Sequence, residues 1–486
     1  MSANSLAELL QDFEQRHQVK LPENSTVDAA DVKAAAAENT QEPVFIVLDD
    51  DPTGTQSVAN LPVLTRWERE DLEWAFEQSA PAVYVMTNSR SLSASDAEQI
   101  NRDVAEAALA VAKGKGLRVS FVSRSDSTLR GHFPLEADTL AKCVEKHDGR
   151  VDGVIVVPAF GDAGRITIGG VHYAGNATDG FIPVAESEFA QDATFGYSHS
   201  DLAEWIEEKT AGDTSAEQVI RIPLDLLRGD VAAVAAELAK AKNRQPIIVD
   251  IVTEEDLRQL ALAVIEAESA GMQFIYRVGP PFMRARIGQN VPTPLDQHAV
   301  AQARTTEPDT KGGLIVVGSH VPTTTRQLNA LLEKDSAEVI ELDVRTVLSD
   351  EREYYLERKA QEVIGKLQES NVILHTSREL VKGEDAEESL AIAREVSGAL
   401  IAVVNKTAHT VKPKFVIAKG GITSSDVASR GLEMTRATVI GPMQPGIISL
   451  WQLGDGPAAG VPYIVFAGNV GNDQSLADVA ETLSNA

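Results

Sequence analysis

The chain has 486 residues, of which 43 % are hydrophobic, and carries 72 acidic against 44 basic side chains for a formal net charge of −28. That length exceeds what one hydrophobic core usually serves, so two domains of ordinary globular composition are expected. The acidity argues against nucleic acid as the main partner, because affinity for a polyanion comes from Lys and Arg neutralising phosphates, while a small anion in a locally basic site stays open.

The N-terminal stretch MSANSLAELLQDFEQRH has no basic segment leading into an apolar one, and no apolar run reaches ~18 residues. A cytoplasmic protein that does not engage membranes is expected. Residues 1–42, including the Ala/Glu/Asp-rich VDAADVKAAAAENTQE, read as an appended helix and linker. From Val44 onward one statement recurs: a short β-branched run, then Gly/Ser/Asp-rich residues, then a helical pattern. VFIVL (44–48) gives way to DDDPTG, AVYVM (82–86) to TNSRS, LRVSFVS (117–123) to RSDSTLRG and GVIVVPAF (153–160) to GDAGR. PIIVDIV (246–252), QFIYRVG (273–279), LIVVGS (314–319), NVILHTS (371–377), KFVIAKGG (414–421) and YIVFAGNVG (463–471) follow. Apolar runs without alternation suit strands covered on both faces, as in parallel sheets with helical crossovers. Helices are expected at 95–111, 231–241, 324–333 and 351–368. The fold class is therefore α/β, two domains each with a mostly parallel sheet flanked by helices. The segment AQARTTEPDTKGG (301–313) lacks an apolar period and precedes a fresh strand, which places the first domain at 43–300, the linker at 301–313 and the second domain at 314–486.

In open α/β sheets ligands bind beyond the carboxyl ends of the strands, where nearly every polar cluster of this chain falls. Asp49, Asp50 and Asp51 end the first run, Asn88, Ser89 and Arg90 follow the second, and Arg124, Ser125, Asp126, Ser127, Thr128 and Arg130 follow the third. Arginines take a carboxylate or phosphate by two-pronged bonds, and carboxylates accept from hydroxyls, so Asp50, Asp51, Asn88, Arg90 and Asp126 in one pocket suit a polyhydroxy acid. The alternative for at least one aspartate, Asp49, is a solvated turn. Asp162 and Arg165 in the PAFGDAGR turn are polar enough to bind substrate, while Gly161 and Gly164 equally suit a plain loop. In the second half, GSHVPTTTRQ (318–327), KGGITSSDVA (419–428) and AGNVGND (467–473) place Gly and hydroxyl residues at strand ends, where bare N–H groups bind phosphate. Three such turns favour a nucleotide, although neither a GxxxxGK[ST] loop nor a GxGxxG fingerprint is present. His132, His172, His199, His320 and His375 show no metal-binding spacing and read as structural, with His320 and His375 placed where a nucleotide passes. The lone Cys143 permits no internal disulfide and reads as a small buried residue.

In order, DDDPTG, TNSRS, RSDSTLRG, PAFGDAGRIT, GSHVPTTTRQ, KGGITSSD and AGNVG resemble motifs of the four-carbon acid sugar kinases, a family formerly known as a domain of unknown function. The resemblance runs from about Val44 to the C-terminus. It implies an ATP-dependent kinase acting, with Mg²⁺, on the terminal hydroxyl of a tetronate such as threonate or erythronate, or of a 3-oxo relative. The acid would bind the N-terminal domain and ATP the C-terminal one. Residue by residue it places Asp51, Arg90, Arg124, Ser125, Asp126 and Ser127 at the acid, with Asp51 or Asp126 as the base for the attacking hydroxyl. Ser319, Gly420, Gly421, Ile422, Thr423, Gly468 and Asn469 fall at the nucleotide. The family often has an acidic residue where this chain has Ile422, which leaves the metal ligands open. Two other classes remain. An NAD(P)-dependent oxidoreductase or lyase is disfavoured by the missing fingerprint, and a non-catalytic ligand-binding protein by the three Gly/hydroxyl turns. An oligomer is compatible with each.

Overall fold

The computed structural model describes residues 3–24, 26–319, 321–334, 337–377, 386–445 and 447–486; His320 lies outside them. In chain order the strands are β1 (Val44–Asp49), β2 (Leu61–Leu64), β3 (Ala82–Met86), β4 (Val119–Arg124), β5 (Gly153–Val157), β6 (Arg165–Ile168), β7 (Val171–Asn176), β8 (Gly180–Pro183) and β9 (Ile220–Ile222). They continue as β10 (Gln245–Val249), β11 (Phe274–Val278), β12 (Leu314–Val317), β13 (Glu338–Leu342), β14 (Val372–Thr376), β15 (Val416–Lys419), β16 (Arg436–Gln444), β17 (Ile448–Leu453) and β18 (Pro462–Phe466).

The chain forms two compact units, one of residues 1–54 and 67–291, the other of residues 55–66 and 292–486. In the first, the order β3-β1-β4-β11-β5-β10-β9 is parallel throughout. Its strands are the continuous apolar runs of the sequence, and Phe45, Ile46, Val47, Val83, Tyr84, Phe121 and Ile155 are fully buried, as a sheet covered on both faces requires. β3 and β4 flank β1 on opposite sides, so the carboxyl end of β1 is a topological switch point, the place where open α/β sheets bind ligands. A small antiparallel sheet, β6-β7-β8, belongs to the same unit. The second unit has a parallel set β13-β14-β12-β15-β18, continued by antiparallel β17, β16 and β2. Among the described residues no helix is long and apolar enough to cross a membrane.

All ten expected strands and all four expected helices are present, the helices as Ala94–Lys115, Val231–Leu238, Pro322–Lys334 and Arg352–Leu367. Among the described residues eight further strands, β2, β6 to β9, β13, β16 and β17, lie outside the sequence reading, and three features of domain organisation differ from it. The N-terminal extension contains two helices packed on the first unit: Leu9 and Phe13 of Leu6–His17 are buried, and Val32 of Ala29–Glu38 packs against Ala261 and Ile265. The unit boundary lies at 291/292, ahead of the expected 301–313 linker, because helix Gln297–Ala303 buries Val300 and Ala303 in the second core. Residues 55–66 also join that unit, through β2 pairing antiparallel with β16.

Candidate ligand sites at the carboxyl ends of two sheets

In the seven-stranded sheet of the first unit every strand runs the same way, so the turns after β1, β3, β4 and β11 emerge at one edge. Register fixes them there: Asp49 pairs with Met86 on one side and Arg124 on the other. Asp49 is fully buried and ion-paired with Arg124, which overturns the solvated alternative for this residue. Removing one partner of a buried pair typically costs ~3–5 kcal/mol, which is a structural reason for the first aspartate. Gly54 returns beside it, and a Cβ there would collide with Asp49 and Arg124, so the DDDPTG turn needs glycine at its end.

Asp50 takes both prongs of Arg90, Nε at 3.0 Å and Nη2 at 2.7 Å, with Arg124 Nη2 3.5 Å away. Burial pushes the Asp50 carboxyl up to about 7. Against that same burial, the charges of Asp50, Asp126 and Asp51 hold Arg90 well above its usual range. These two shifts pull in opposite senses, and the two-pronged bond, which needs a charged acceptor, decides for an ion pair. Asp51 is the accessible member, with a quarter of its side chain exposed. Its Oδ1 accepts from the Thr53 N–H at 3.0 Å and hydroxyl at 2.5 Å, and its Oδ2 lies 3.7 Å from Arg90 Nη1. Asp126 is tied to Arg130 Nε at 2.7 Å and to the Thr128 hydroxyl. Burial works against its charge, but Arg90 and Arg130 outweigh it and hold the carboxyl well below the usual range. Beneath these groups Glu136 accepts from Ser89 at 2.5 Å and Ser123 at 3.0 Å, and Ser125 is buried 3.1 Å from Ser123. The Ser127 carbonyl faces the fully buried His172 Nε2 at 2.8 Å.

In the second unit β12, β15 and β18 are adjacent and parallel, which brings their three following turns together. A Cβ on Gly420 would stand 2.9 Å from Thr423 Oγ1 and 3.3 Å from Ser319 Cβ, one on Gly468 would stand 2.6 Å from Ser319 Oγ, and one on Gly318 would collide with Thr423. The three glycines therefore close on the same two hydroxyl residues. Gly420 has φ 128°, where a side chain is strained. Further bonds fix the turns: Gly420 N–H donates to Phe466 O at 2.8 Å and Thr324 Oγ1 to Gly468 O at 2.9 Å. Lys419, fully buried below, donates to Ala467 O at 2.6 Å and lies 3.8 Å from the Phe466 ring centroid.

A model of a sugar-binding N-terminal domain matches residues 45–286, and a model of a nucleotide-binding C-terminal domain matches residues 314–476. The chain belongs to the four-carbon acid sugar kinase family. It is 29 % identical over 295 residues to a D-erythronate kinase of Heliobacterium modesticaldum, across 60 % of each chain. It is 25 % identical over 369 residues to a D-threonate kinase of Salmonella typhimurium, across 73 % of this chain and 78 % of that one. The chain thus spans about three fifths of the first relative's length. A crystal structure of a Salmonella typhimurium LT2 protein provisionally labelled a tRNA synthase matches with TM-score 0.64 at 20 % identity, covering 89 % of this chain and 98 % of that one. A Haemophilus influenzae protein matches with TM-score 0.58 at 18 % identity, over 90 % and 100 %. At these identities the likeness is one of fold.

Within this family member, the sugar-binding domain gathers Asp50, Asp51, Arg90, Arg124 and Asp126 into one charge network, with Asn88 in a left-handed turn beside them. Arg90 and Asp51 are direct neighbours, Nη1 and Oδ2 standing 3.7 Å apart. In the nucleotide-binding domain Ser319, Gly420, Thr423 and Gly468 converge, Gly421 opens helix Gly421–Asp426, Ile422 is two-thirds exposed and Asn469 is exposed. Sequence reasoning missed Glu136, Arg277 and Lys419. Arg277 and Lys419 stand as lone charges in the apolar runs QFIYRVG and KFVIAK, a signal that marks a buried cation. His375 is buried, its Nδ1 2.8 Å from Thr376 O, and Cys143 is buried in helix Leu135–Asp148.

Lys419 gives a stability signature. Burial lowers its ammonium to about 7, so between that value and the ordinary ~10.4 the unfolded chain binds the extra proton. Stability lost to the buried charge is recovered as pH rises through this window. Lys419→Met is expected to remove that slope, so the melting temperature of the wild type should gain on the variant's from pH 7 to pH 10. Parallel curves across that range would place the proton elsewhere.

Proposed function

We propose that the chain is an ATP-dependent kinase that phosphorylates the terminal hydroxyl of a four-carbon sugar acid of the tetronate or 3-oxo-tetronate class. The observation that carries this reading is the closure of three glycine turns on Ser319 and Thr423 in the domain matched as nucleotide-binding, since bare backbone at strand ends is where phosphate groups bind. Ser319, Gly420, Gly421, Ile422, Thr423, Gly468 and Asn469 form the proposed nucleotide side. The acid-binding side is assigned to Asp50, Asp51, Asn88, Arg90 and Arg124–Ser127 in the domain matched as sugar-binding. The names of the curated relatives, kinases of D-erythronate and D-threonate, support the substrate class.

Phosphoryl transfer requires an attacking oxygen in line with the γ-phosphate and neutralisation of charge on the transferred group, which Mg²⁺ bound with ATP supplies. Mg²⁺ in such reactions is held through the substrate phosphates, one or two carboxylates and retained waters. Asp51 is the proposed base: it is the accessible carboxylate, whereas Asp126 is held by Arg130 and Thr128 and is correspondingly a weak proton acceptor. Asp50, locked by Arg90, is assigned to orient ligand hydroxyls.

The reading is checked by melting the protein with ATP/Mg²⁺, NAD(P) and C4 to C6 sugar acids, together with ADP release. ATP and one of the acids should each raise the melting temperature, since a hundredfold excess over Kd adds ~3 kcal/mol. A shift with NAD(P) and none with ATP would favour the oxidoreductase instead.

A further inference from the structure

Several arginines stand at the carboxyl edge of the first sheet, and their partners differ. Arg90 gives both prongs to Asp50. Arg124 is paired with Asp49, and Arg130 with Asp126 and, at 3.7 Å, Asp192. Arg277 has no carboxylate within 4.0 Å among the described residues and its Nε also lacks a hydrogen-bond partner, but it is fully buried, its guanidinium 5.9 Å from the Phe133 ring and 6.0 Å from that of Trp205, and its Nη2 donates to Arg130 O at 3.1 Å. Arg165 is the remaining case. It opens β6 directly after the turn that follows β5, so it stands at the same edge of the sheet. Only half-buried, it donates from Nη1 to Ala163 O in its own turn, its buried Nε has no hydrogen-bond partner, and no carboxylate lies within 4.0 Å among the described residues.

Its neighbours hold it in place. The guanidinium carbon lies 5.4 Å from the Phe189 ring centroid, and that of Arg130 lies 5.4 Å from the same ring. Phe160 and Arg165 exchange backbone bonds at 2.9 and 3.0 Å, and Gly164, at φ 73°, abuts Gly175 so closely that a side chain would collide. The backbone presenting Arg165 is thus fixed. The nearby charges that act on it are Asp126, which favours its charge, and Arg130, which opposes it. A guanidinium withdrawn from water with an unfilled N–H and no anion is costly, and a planar carboxylate matches it.

We propose that Arg165, with the Phe189 ring beside it, receives the carboxylate of the substrate, a role for which Arg90 is already engaged. This rests on the sugar-acid kinase reading and deepens it. The acid end then docks at the PAFGDAGR turn while the hydroxyl end lies toward Asp50 and Asp51.

The test is calorimetric binding of D-erythronate and D-threonate, and of their uncharged amides, to the full chain and to Arg165→Met and Arg165→Lys, followed by steady-state kinetics. For the acid that binds, Arg165→Met is expected to weaken binding on the order of 10²-fold and raise KM alike. Its kcat should stay within a few-fold, KM for ATP should be unchanged, and the amide should bind equally to both proteins. Arg165→Lys, which keeps the charge and loses the planar fork, should fall between them and covers the case of a misfolded Met variant. Equal weakening for acid and amide would assign Arg165 a structural role and overturn the proposal, as would acid binding unchanged in both variants. A wild-type protein that binds ATP and acid, with Arg165 indifferent, refutes this inference alone; a wild type that binds no sugar acid refutes the kinase reading with it.

Discussion

Asp51→Asn is expected to lower kcat by ~10²–10⁴-fold, the usual contribution of a positioned general base, with KM for the acid little changed. The substitution keeps size and hydrogen-bonding shape but removes the charge that accepts the hydroxyl proton. Geometry sets this residue apart from its neighbours. Asp49 is buried against Arg124, Asp50 is held by Arg90, and Asp126 is bound to Arg130 and Thr128. Asp51 alone of these four keeps a quarter of its side chain exposed, with one oxygen occupied by Thr53 and the other beside Arg90. Asp126→Asn weakens the hold on Arg130, so its expected effect falls on KM. Saturating kinetics of both variants decide the matter: full kcat in Asp51→Asn with kcat abolished in Asp126→Asn would move the base to Asp126, and normal turnover in both would remove carboxylate base catalysis from this site.

Gly420→Val should weaken ATP binding at least tenfold, about 1.4 kcal/mol, while leaving sugar-acid binding within twofold. Two effects add. At φ 128° and ψ 141° the backbone is open almost exclusively to glycine, and holding another residue there costs ~1–3 kcal/mol. The new Cβ would also stand 2.9 Å from Thr423 Oγ1 and 3.3 Å from Ser319 Cβ, displacing the two residues on which the three turns close. Gly421 differs, because its backbone is the first of a helix and is open to any residue, so Gly421→Ala should bind ATP nearly normally. Calorimetry with each ligand separately is the measurement. ATP affinity unchanged in Gly420→Val would place the nucleotide elsewhere.

The sequence by itself determined the α/β class, the ten central strands and the edge at which the polar turns gather, because uninterrupted β-branched runs have few other places to go and their following turns are polar. It marked the polar turns of both candidate sites, since an arginine or aspartate directly after such a run lies at the carboxyl end of a strand, but not the buried Glu136, Arg277 and Lys419 beneath them. The parallel edge strands β9, three residues long, and β13, with two glutamates in five residues, escaped it, as did the strands outside the parallel pattern. β2, β16 and β17 contain Pro or Gly or pair antiparallel, and β6 to β8 are short and half-buried, so their local signal is weak and distant partners stabilise them. Only the tertiary structure decided which charges meet. Asp49, Asp50 and Asp51 are identical in type and adjacent in sequence, yet one is buried on Arg124, one locked by Arg90 and one accessible. Side chains alternate along a strand and then diverge in the turn, and their arginine partners, Arg90 and Arg124, arrive from the turn after β3 and the end of β4, a choice that crossover geometry makes and local composition does not encode.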